Sequence, residues 1–347
     1  MAPWKDSAKR PAVYHVISRV VERRFAFGAQ EKEKFRALMR MTEQFSGCRV
    51  LAYCVMSNHV HLLLEVPPGE ARGLSDEGFL ERLRVLYPAW KVKEVAGRLA
   101  EARAAGDVAG AERVVAGYAY RMHDLSEFMK TLMQRFSSWF NRSQGRTGRL
   151  WEQRFKSVLV EDGAAARAMA AYIDLNPVRA GICEDPADYR WSSYGEAVAG
   201  GRKARAGLVR ALRGHGGDGI NEGTARGWAQ GGLAKEYRAI LLGKGKEVVV
   251  EGEVKRRGMA KEVAERELAE LEAGKWDLRI SQVIRRRVRY FSDGAVIGGR
   301  GFVEEVFRGC REYFGAKRRS GARRPRGALG PLAGVVWSAR DLRVGTG

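Results

Sequence analysis

Residues 49–66, RVLAYCVMSNHVHLLLEV, contain two apolar runs separated by the dipeptide Ser57-Asn58. Serine and asparagine favour tight turns, and each flanking run is long enough to form a strand. The stretch therefore predicts a β-hairpin. Because side chains alternate across a strand, His59 and His61 are expected on one face, with the valine between them on the other.

Further periodic segments flank this hairpin. β-branched and aromatic runs predict strands, and apolar residues spaced at i, i+3, i+4 and i+7 predict helices. The expected elements are a strand at 12–19, a helix at 30–45, a helix at 125–140, a strand at 155–160 and a helix at 164–175. This order predicts an α+β fold in which helices pack on an antiparallel sheet.

Charge is the compositional feature that bears most directly on partners. The chain of 347 residues has 62 Lys and Arg against 41 Asp and Glu, a formal net charge of +21 at pH 7. Arginine dominates the excess, and its guanidinium group suits phosphate, so nucleic acid is the expected partner. An anionic membrane surface is a weaker alternative, because we find no basic amphipathic helix with bulky apolar anchors.

Other compositional signals point to a cytoplasmic protein. No run approaches the roughly 20 apolar residues of a membrane helix, and the first residues lack the apolar core of a secretory signal. The four cysteines have no paired spacing, which predicts reduced side chains rather than a disulfide framework or a zinc site.

Composition also divides the chain into regions. We expect a first domain over 1–200 with a helical insertion at 67–120, and a Gly-rich linker at 201–250. Residues 251–347 predict a basic helical region, with helices at 262–271, 280–290 and 301–314 and a Gly-rich turn at 294–299. This region could be a helix-turn-helix or a non-specific electrostatic arm.

Two groups of residues could carry chemistry. His59 and His61 form a partial metal site, since an ion needs further ligands, and an open position suits phosphoryl chemistry. On the predicted helix, Tyr172 and Asn176 are spaced i, i+4 and share one face. By spacing alone, a core tyrosine followed by an ordinary Asn-Pro helix stop explains that second group better than a catalytic role does.

Several blocks of the sequence resemble the signature blocks of the single-tyrosine HUH transposases, most closely the REP-associated tyrosine transposases. They are YHVISR at 14–19, RRF at 23–25, VMSNHVHLL at 55–63, GRLWEQRF at 148–155, YIDLNPVRAG at 172–181 and WSSY at 191–194. The blocks occur in the family's order and span about residues 10 to 195. Ser57 and Val20 replace the usual proline and glycine, and the 67–120 insertion is longer than the family pattern.

The resemblance implies a ferredoxin-like or RRM-like HUH endonuclease domain with a defined chemistry. His59 and His61 would hold a divalent metal, Mg²⁺ or Mn²⁺, and Asn176 would be an amide ligand. Tyr172 would attack single-stranded, hairpin-forming DNA to give a 5′-phosphotyrosine link and a free 3′-OH. No nucleotide is expected, because the chain has no Walker-type phosphate loop.

Cationic and amide side chains near these blocks are the predicted DNA contacts: Arg19, Arg23, Arg24, Asn58, Arg154, Lys156 and Arg179. The resemblance admits a monomer or a homodimer. Two other functions stay open: a relaxase or replication-initiator nickase with the same triplet and tyrosine, and a non-catalytic nucleic-acid-binding protein derived from a transposase.

Overall fold

The computed structural model describes residues 10–68, 74–214, 227–228, 232–245, 248–250, 253–256, 295–323 and 337–339. The helices predicted at 262–271 and 280–290, and most of the expected basic C-terminal region, lie outside these ranges. In the described parts of the chain, no helix is long and apolar enough to cross a membrane.

A six-stranded sheet forms the centre of the described structure, and a separate ribbon has two strands. The strands are β1 (Ala12–Arg19), β2 (Arg49–Val55), β3 (His59–Val66), β4 (Lys156–Val160), β5 (Val248–Val250), β6 (Glu253–Arg256), β7 (Val296–Gly298) and β8 (Trp337–Ala339). The strand order of the large sheet is β2-β3-β1-β4-β7-β8, and the ribbon pairs β5 with β6.

Helices connect the strands and cover the sheet. They are α1 (Ala29–Ser46), α2 (Asp76–Leu86), α3 (Ala89–Ala104), α4 (Val108–Ala119), α5 (Leu125–Ser143), α6 (Ala164–Asp174), α7 (Asn176–Arg179), α8 (Ser193–Val198), α9 (Arg202–Arg213), α10 (Leu233–Gly245) and α11 (Arg300–Gly309). The α+β class is thereby confirmed. The sheet is mixed rather than wholly antiparallel, because β4 and β7 run parallel.

Both faces of the sheet are buried, each under its own helical layer. On one face, side chains such as Val16 and Leu62 pack with Phe35 of α1 and Phe136 of α5. On the other face, side chains such as Leu63 pack against α6, α8 and α9. The histidines of β3 lie on this second face, so helices cover most of the surface around them.

Three helices, α2 to α4, follow β3 and form a small core of their own. Phe79, Leu83, Val95 and Leu99 are buried together, and Phe45 of α1 joins them to the main body. The side chain of Ser75 accepts a hydrogen bond from the backbone of Gly78, which satisfies a free amide at the start of α2.

The linker predicted at 201–250 is wrong for the residues that form α9 and α10. The glycine content of this region misled the prediction, because Gly207 serves close packing rather than flexibility. A Cβ at position 207 would lie 2.5 Å from the carbonyl oxygen of Val50, so only glycine lets α9 approach β2 this closely. Leu208 and Leu212 are buried on the same helix.

The C-terminal part of the chain returns to the sheet. Val296–Gly298, where a Gly-rich turn was expected, pairs with β4 and with β8. Val303 and Phe307 of α11 join the core beneath the first sheet face. The described residues beyond 295 are therefore part of the same sheet and core as the N-terminal strands.

A buried ion cluster joins α9 to the sheet. Arg210 forms ion pairs with Glu65 of β3 and, at 2.9 Å, with Asp162. The side chains of Arg210 and Glu65 are 5% and 1% exposed. Because a buried charge that loses its partner is strongly disfavoured, this cluster holds α9 in place.

Arg210→Ala should lower the free energy of unfolding by about 3 kcal/mol, since it leaves the Glu65 carboxylate buried with Arg49 as its remaining partner. Urea unfolding followed by circular dichroism measures the change. Arg103→Ala is the matched control, because its ion pair with Asp76 lies on the surface and its loss should leave stability unchanged. Equal effects of the two substitutions would contradict the assigned role of Arg210.

Candidate active site

The pairing of β1 with β3 determines which side chains surround the two predicted metal ligands. His59 lies opposite Arg19 and His61 lies opposite Ile17. Residues directly opposite in an antiparallel pair share a face, so Arg19 stands beside His59. The rings of His59 and His61 have centroids 4.9 Å apart, as expected for alternate residues of one strand.

A third histidine, which sequence reasoning did not select, lies next to His61. His15 of β1 is fully buried, and its Nε2 lies 3.0 Å from Nδ1 of His61, a hydrogen bond between the two rings. The rings stack with centroids 5.2 Å apart. The sequence shows that His15 and Arg19 lie on the same face of a predicted strand, because they are an even number of residues apart. It does not show which residues of the neighbouring strand they lie opposite.

Tyr172 of α6 lies over these histidines. Its ring centroid is 5.8 Å from that of His15 and 5.9 Å from that of His61, in edge-on contacts. The guanidinium carbon of Arg179 is 4.9 Å from the centre of the tyrosine ring. Tyr172 is only 2% exposed, so its ring is covered in this conformation. The predicted nucleophile and metal ligands, separated by more than a hundred residues, are therefore neighbours.

Asn176 is occupied by a structural task at the end of α6. Its side-chain Nδ2 donates hydrogen bonds to the carbonyl oxygens of Tyr172 at 3.0 Å and Ile173 at 3.1 Å. These bonds satisfy carbonyls that the helix leaves free at its C-terminus. Asn176 thus fixes the turn that carries Tyr172, and it has an amide oxygen with which to serve as a ligand.

Asp174, the last residue of α6, is buried and accepts hydrogen bonds from neighbouring helices. One carboxylate oxygen accepts hydrogen bonds from the Ser193 hydroxyl at 2.7 Å and the Tyr194 amide at 2.9 Å. The other accepts one from the Tyr237 hydroxyl at 2.6 Å. Burial raises the pKa of Asp174 to about 6. Sequence reasoning missed this residue, because partners from α8 and α10 become visible only in the fold.

Both predicted metal-binding histidines are held in the neutral form. Burial lowers the pKa of His59 to about 4, and the positive charge of Arg19 adds to the effect. Burial also lowers the pKa of His61 well below its ordinary value, with further contributions from His59, His15, Arg19 and Arg179. A neutral imidazole is the form that binds a metal ion, so this environment suits the predicted role.

Hydrogen bonds assign one nitrogen of each histidine and leave the other for a ligand. His59 Nδ1 lies 2.6 Å from the side-chain oxygen of Asn58, and His61 Nδ1 lies 3.0 Å from His15. Ligating histidines commonly donate their second ring N–H to such a partner. A metal bound by this pair would therefore use both Nε2 atoms. Among the described residues, no group of three or more His, Cys, Asp or Glu side chains completes a metal site.

The predicted DNA contacts fall into two groups. Arg19 lies opposite His59 in the β1–β3 pair, and Arg179 lies against the ring of Tyr172. Lys156 lies opposite Ile17 and therefore on the same sheet face as His61, and it is exposed. Arg19 and Lys156 are exposed and Arg179 is half-buried, so these cations could bind phosphate groups.

Of the remaining predicted contacts, Asn58, Arg23 and Arg24 lie in the loops next to His59, whereas Arg154 lies beside α5. Asn58 binds His59 through its oxygen and donates from Nδ2 to the carbonyl of Arg23 at 3.1 Å, so its amide is a structural link. Arg24 pairs with Glu22 on the exposed loop after β1. Arg154 is exposed and donates to the Ser126 hydroxyl at 3.4 Å.

The fold and the site together define an α+β protein in which two strand histidines and a helix tyrosine meet on one sheet face. Residues 9–71 match the family model "Transposase IS200 like". The resemblance to transposases that the sequence blocks predicted is thus confirmed over this segment, which includes β1, α1 and the His59–His61 hairpin. No curated protein matches the chain.

A comparison of folds finds a solved structure described as "Structure of the REP associates tyrosine transposase bound to a REP hairpin". The two chains are 14% identical, and the match covers 58% of this chain and 87% of that chain with a TM-score of 0.36.

The neutral His59 predicts a specific pH dependence of stability. The unfolded imidazole has a pKa of about 6.5, against about 4 in the fold, so at intermediate pH the unfolded chain binds the extra proton. His59 should therefore lower the free energy of unfolding by about 2 kcal/mol between pH 7 and pH 5. Urea unfolding at both pH values, with a chelator present, should show a smaller loss in His59→Gln. The same loss in both proteins would contradict the burial of a neutral His59.

Proposed function

We propose that this protein is a transposase that cleaves and rejoins single-stranded, hairpin-forming DNA through a covalent link to Tyr172. The observation that carries the proposal is the meeting of Tyr172 with the His59–His61 pair on one sheet face. The family-model match over residues 9–71 supports the transposase class. The positive charge of the chain, +21, supports DNA as the substrate.

His59 and His61 would hold a divalent metal, Mg²⁺ or Mn²⁺, with Asn176 as the candidate third protein ligand. When bound, the ion would polarise the scissile phosphate and stabilise the charge that develops on it. His15 would orient His61 by accepting the Nδ1–H that metal binding at Nε2 requires. Asn58 would do the same for His59.

The proposed reaction replaces one oxygen bonded to phosphorus with another. The Tyr172 hydroxyl oxygen forms a bond to phosphorus and loses its proton, and the bond from phosphorus to the 3′ oxygen breaks. The 3′ oxygen takes up a proton, which gives a 5′-phosphotyrosine link and a free 3′-OH. Reversal with a new 3′-OH rejoins DNA without a nucleotide, because the phosphotyrosine retains the phosphodiester bond energy.

Tyr172 is covered in this conformation. The residue is 2% exposed, and the guanidinium carbon of Arg179 lies 4.9 Å from the centre of its ring. A DNA phosphate attracts a guanidinium group more strongly than an aromatic face does. We therefore propose that substrate binding draws Arg179 away from the ring and uncovers the hydroxyl.

The same burial favours one rival function. A covered Tyr172 within an apolar cluster is what a non-catalytic DNA-binding protein would also contain. In such a protein the tyrosine would serve only packing, and the histidines would bind no ion. Adduct formation separates the two functions.

Incubation of the purified chain with hairpin-bearing single-stranded DNA and Mn²⁺ should give a covalent protein–DNA adduct, because Tyr172 becomes linked to the 5′ phosphate. A denaturing gel with labelled DNA detects it. Tyr172→Phe should abolish the adduct while retaining DNA binding, because the substitution removes only the hydroxyl.

Tyr53→Phe is the matched control, since this buried tyrosine lies elsewhere in the sheet and donates to Glu196. It should form the adduct as wild type does. Lack of an adduct with wild type, or its persistence in Tyr172→Phe, would favour the non-catalytic rival.

The orienting role of His15 can be tested without DNA. His15→Phe preserves a buried ring but removes the hydrogen bond to His61, so Mn²⁺ should bind about 10- to 100-fold more weakly. Isothermal titration calorimetry measures the affinity. His123→Phe is a control, because His123 lies just before α5 and contacts Arg82 instead. Unchanged Mn²⁺ affinity in His15→Phe would contradict the orienting role of His15.

A further inference from the structure

The loop between β1 and α1 is fastened to the histidine hairpin by main-chain hydrogen bonds. The amide of Val20 donates to the carbonyl of Asn58 at 2.9 Å, and the amide of Phe27 donates to the carbonyl of Ser57 at 3.0 Å. Asn58 in turn binds His59 through its side-chain oxygen. Residues 21–26, here called the rim loop, therefore border the His59 end of the site.

Phe25 in the rim loop projects into solvent. It is 84% exposed, the largest exposure among the large hydrophobic residues described. Phe27, two residues away, is only 2% exposed and packs among Phe136, Phe140 and Trp151. Burial of a phenylalanine stabilises a fold by roughly 1.5–3 kcal/mol, and Phe25 contributes nothing of this kind.

The backbone of the rim loop is held in an unfavourable conformation. Glu22 and Arg23 have φ angles of 56° and 54°, in the left-handed region that side chains other than glycine, asparagine and aspartate disfavour. The hydrogen bond from Asn58 to the carbonyl of Arg23 helps to impose it. Such local strain concentrates where a loop presents side chains for binding.

Exposed cations lie close to Phe25 along the chain. Arg23 and Arg24 immediately precede Phe25 and both are exposed, although Arg24 also pairs with Glu22. Arg19, at the end of β1, is exposed as well and stands beside His59. An aromatic face among guanidinium groups matches single-stranded nucleic acid, which offers base faces for stacking and phosphates for ion pairing.

We propose that Phe25 is a stacking platform for one unpaired base of the DNA strand whose phosphate enters the His59–His61 site. The inference rests on the proposed function and deepens it, because it assigns a base contact beside the reacting phosphate. A protein partner fits less well, since a specific protein interface buries about 800 Å² on each side and this feature is a single ring among charges.

Stacking and phosphate contacts respond differently to substitution and to salt. Fluorescence anisotropy with a labelled single-stranded oligonucleotide, in EDTA to prevent cleavage, should show binding about 5- to 150-fold weaker for Phe25→Ala. The salt dependence of the affinity should stay as in wild type. Arg23→Ala should instead reduce the slope of log K against log salt by about 0.7, the value for one phosphate of a single strand.

Two further variants isolate the aromatic face. Phe25→Trp should bind as tightly as wild type, whereas Phe25→Leu should bind nearly as weakly as Phe25→Ala, because leucine is apolar but has no π face. Tyr120→Ala is the control for loss of an exposed aromatic ring elsewhere, since Tyr120 is 60% exposed and lies beyond α4. It should leave the affinity unchanged.

The outcomes separate this inference from the proposed function. Wild-type affinity in Phe25→Ala or Phe25→Leu, with a normal Tyr172 adduct in wild type, would overturn the stacking role alone. An equal loss of affinity for blunt duplex DNA would also overturn it, because paired bases offer no free face. If the wild-type chain neither binds single-stranded DNA nor forms the adduct, both proposals fail.

Discussion

The antiparallel pairing of β1 with β3 is the constraint on which the site depends. Its register sets Arg19 opposite His59 and brings His15 within hydrogen-bond distance of His61. Because the period of a strand is two residues, a shift of one position would turn one strand's polar side chains to the opposite face. The buried apolar residues on both faces exclude such a shift.

Buried polar interactions then fasten the helices that complete the site. Asp174 gathers hydrogen bonds from α8 and α10 at the end of the helix that carries Tyr172. Arg210 connects α9 to Glu65 at the end of β3. These interactions specify where the helices pack, because a buried charge or carboxylate is strongly disfavoured without its partner. Helix α6 is therefore held over the histidines by contacts from the chain beyond residue 190.

Local patterns predicted the elements better than the connections between them. The hairpin turned at Ser57-Asn58 and the α+β class were predicted correctly, because both follow from alternation and short-range turn preferences. The prediction of a linker was wrong for α9, where the close approach of the helix to β2 requires Gly207. A glycine can indicate either a flexible segment or close packing of two elements. Only the position of the neighbouring strand shows which of the two applies.

The sequence by itself determined that His59 and His61 share a strand face, that Tyr172 and Asn176 share a helix face, and that the chain is strongly basic. Periodicity and charge are properties of the chain and need no partner to be read. The tertiary structure alone decided that Tyr172 lies over the histidines, that His15 bonds His61, that Asp174 holds the end of α6, and that Phe25 is exposed in the rim loop. These contacts depend on strand register and on packing between segments that are far apart in the sequence, so they form only in the folded chain.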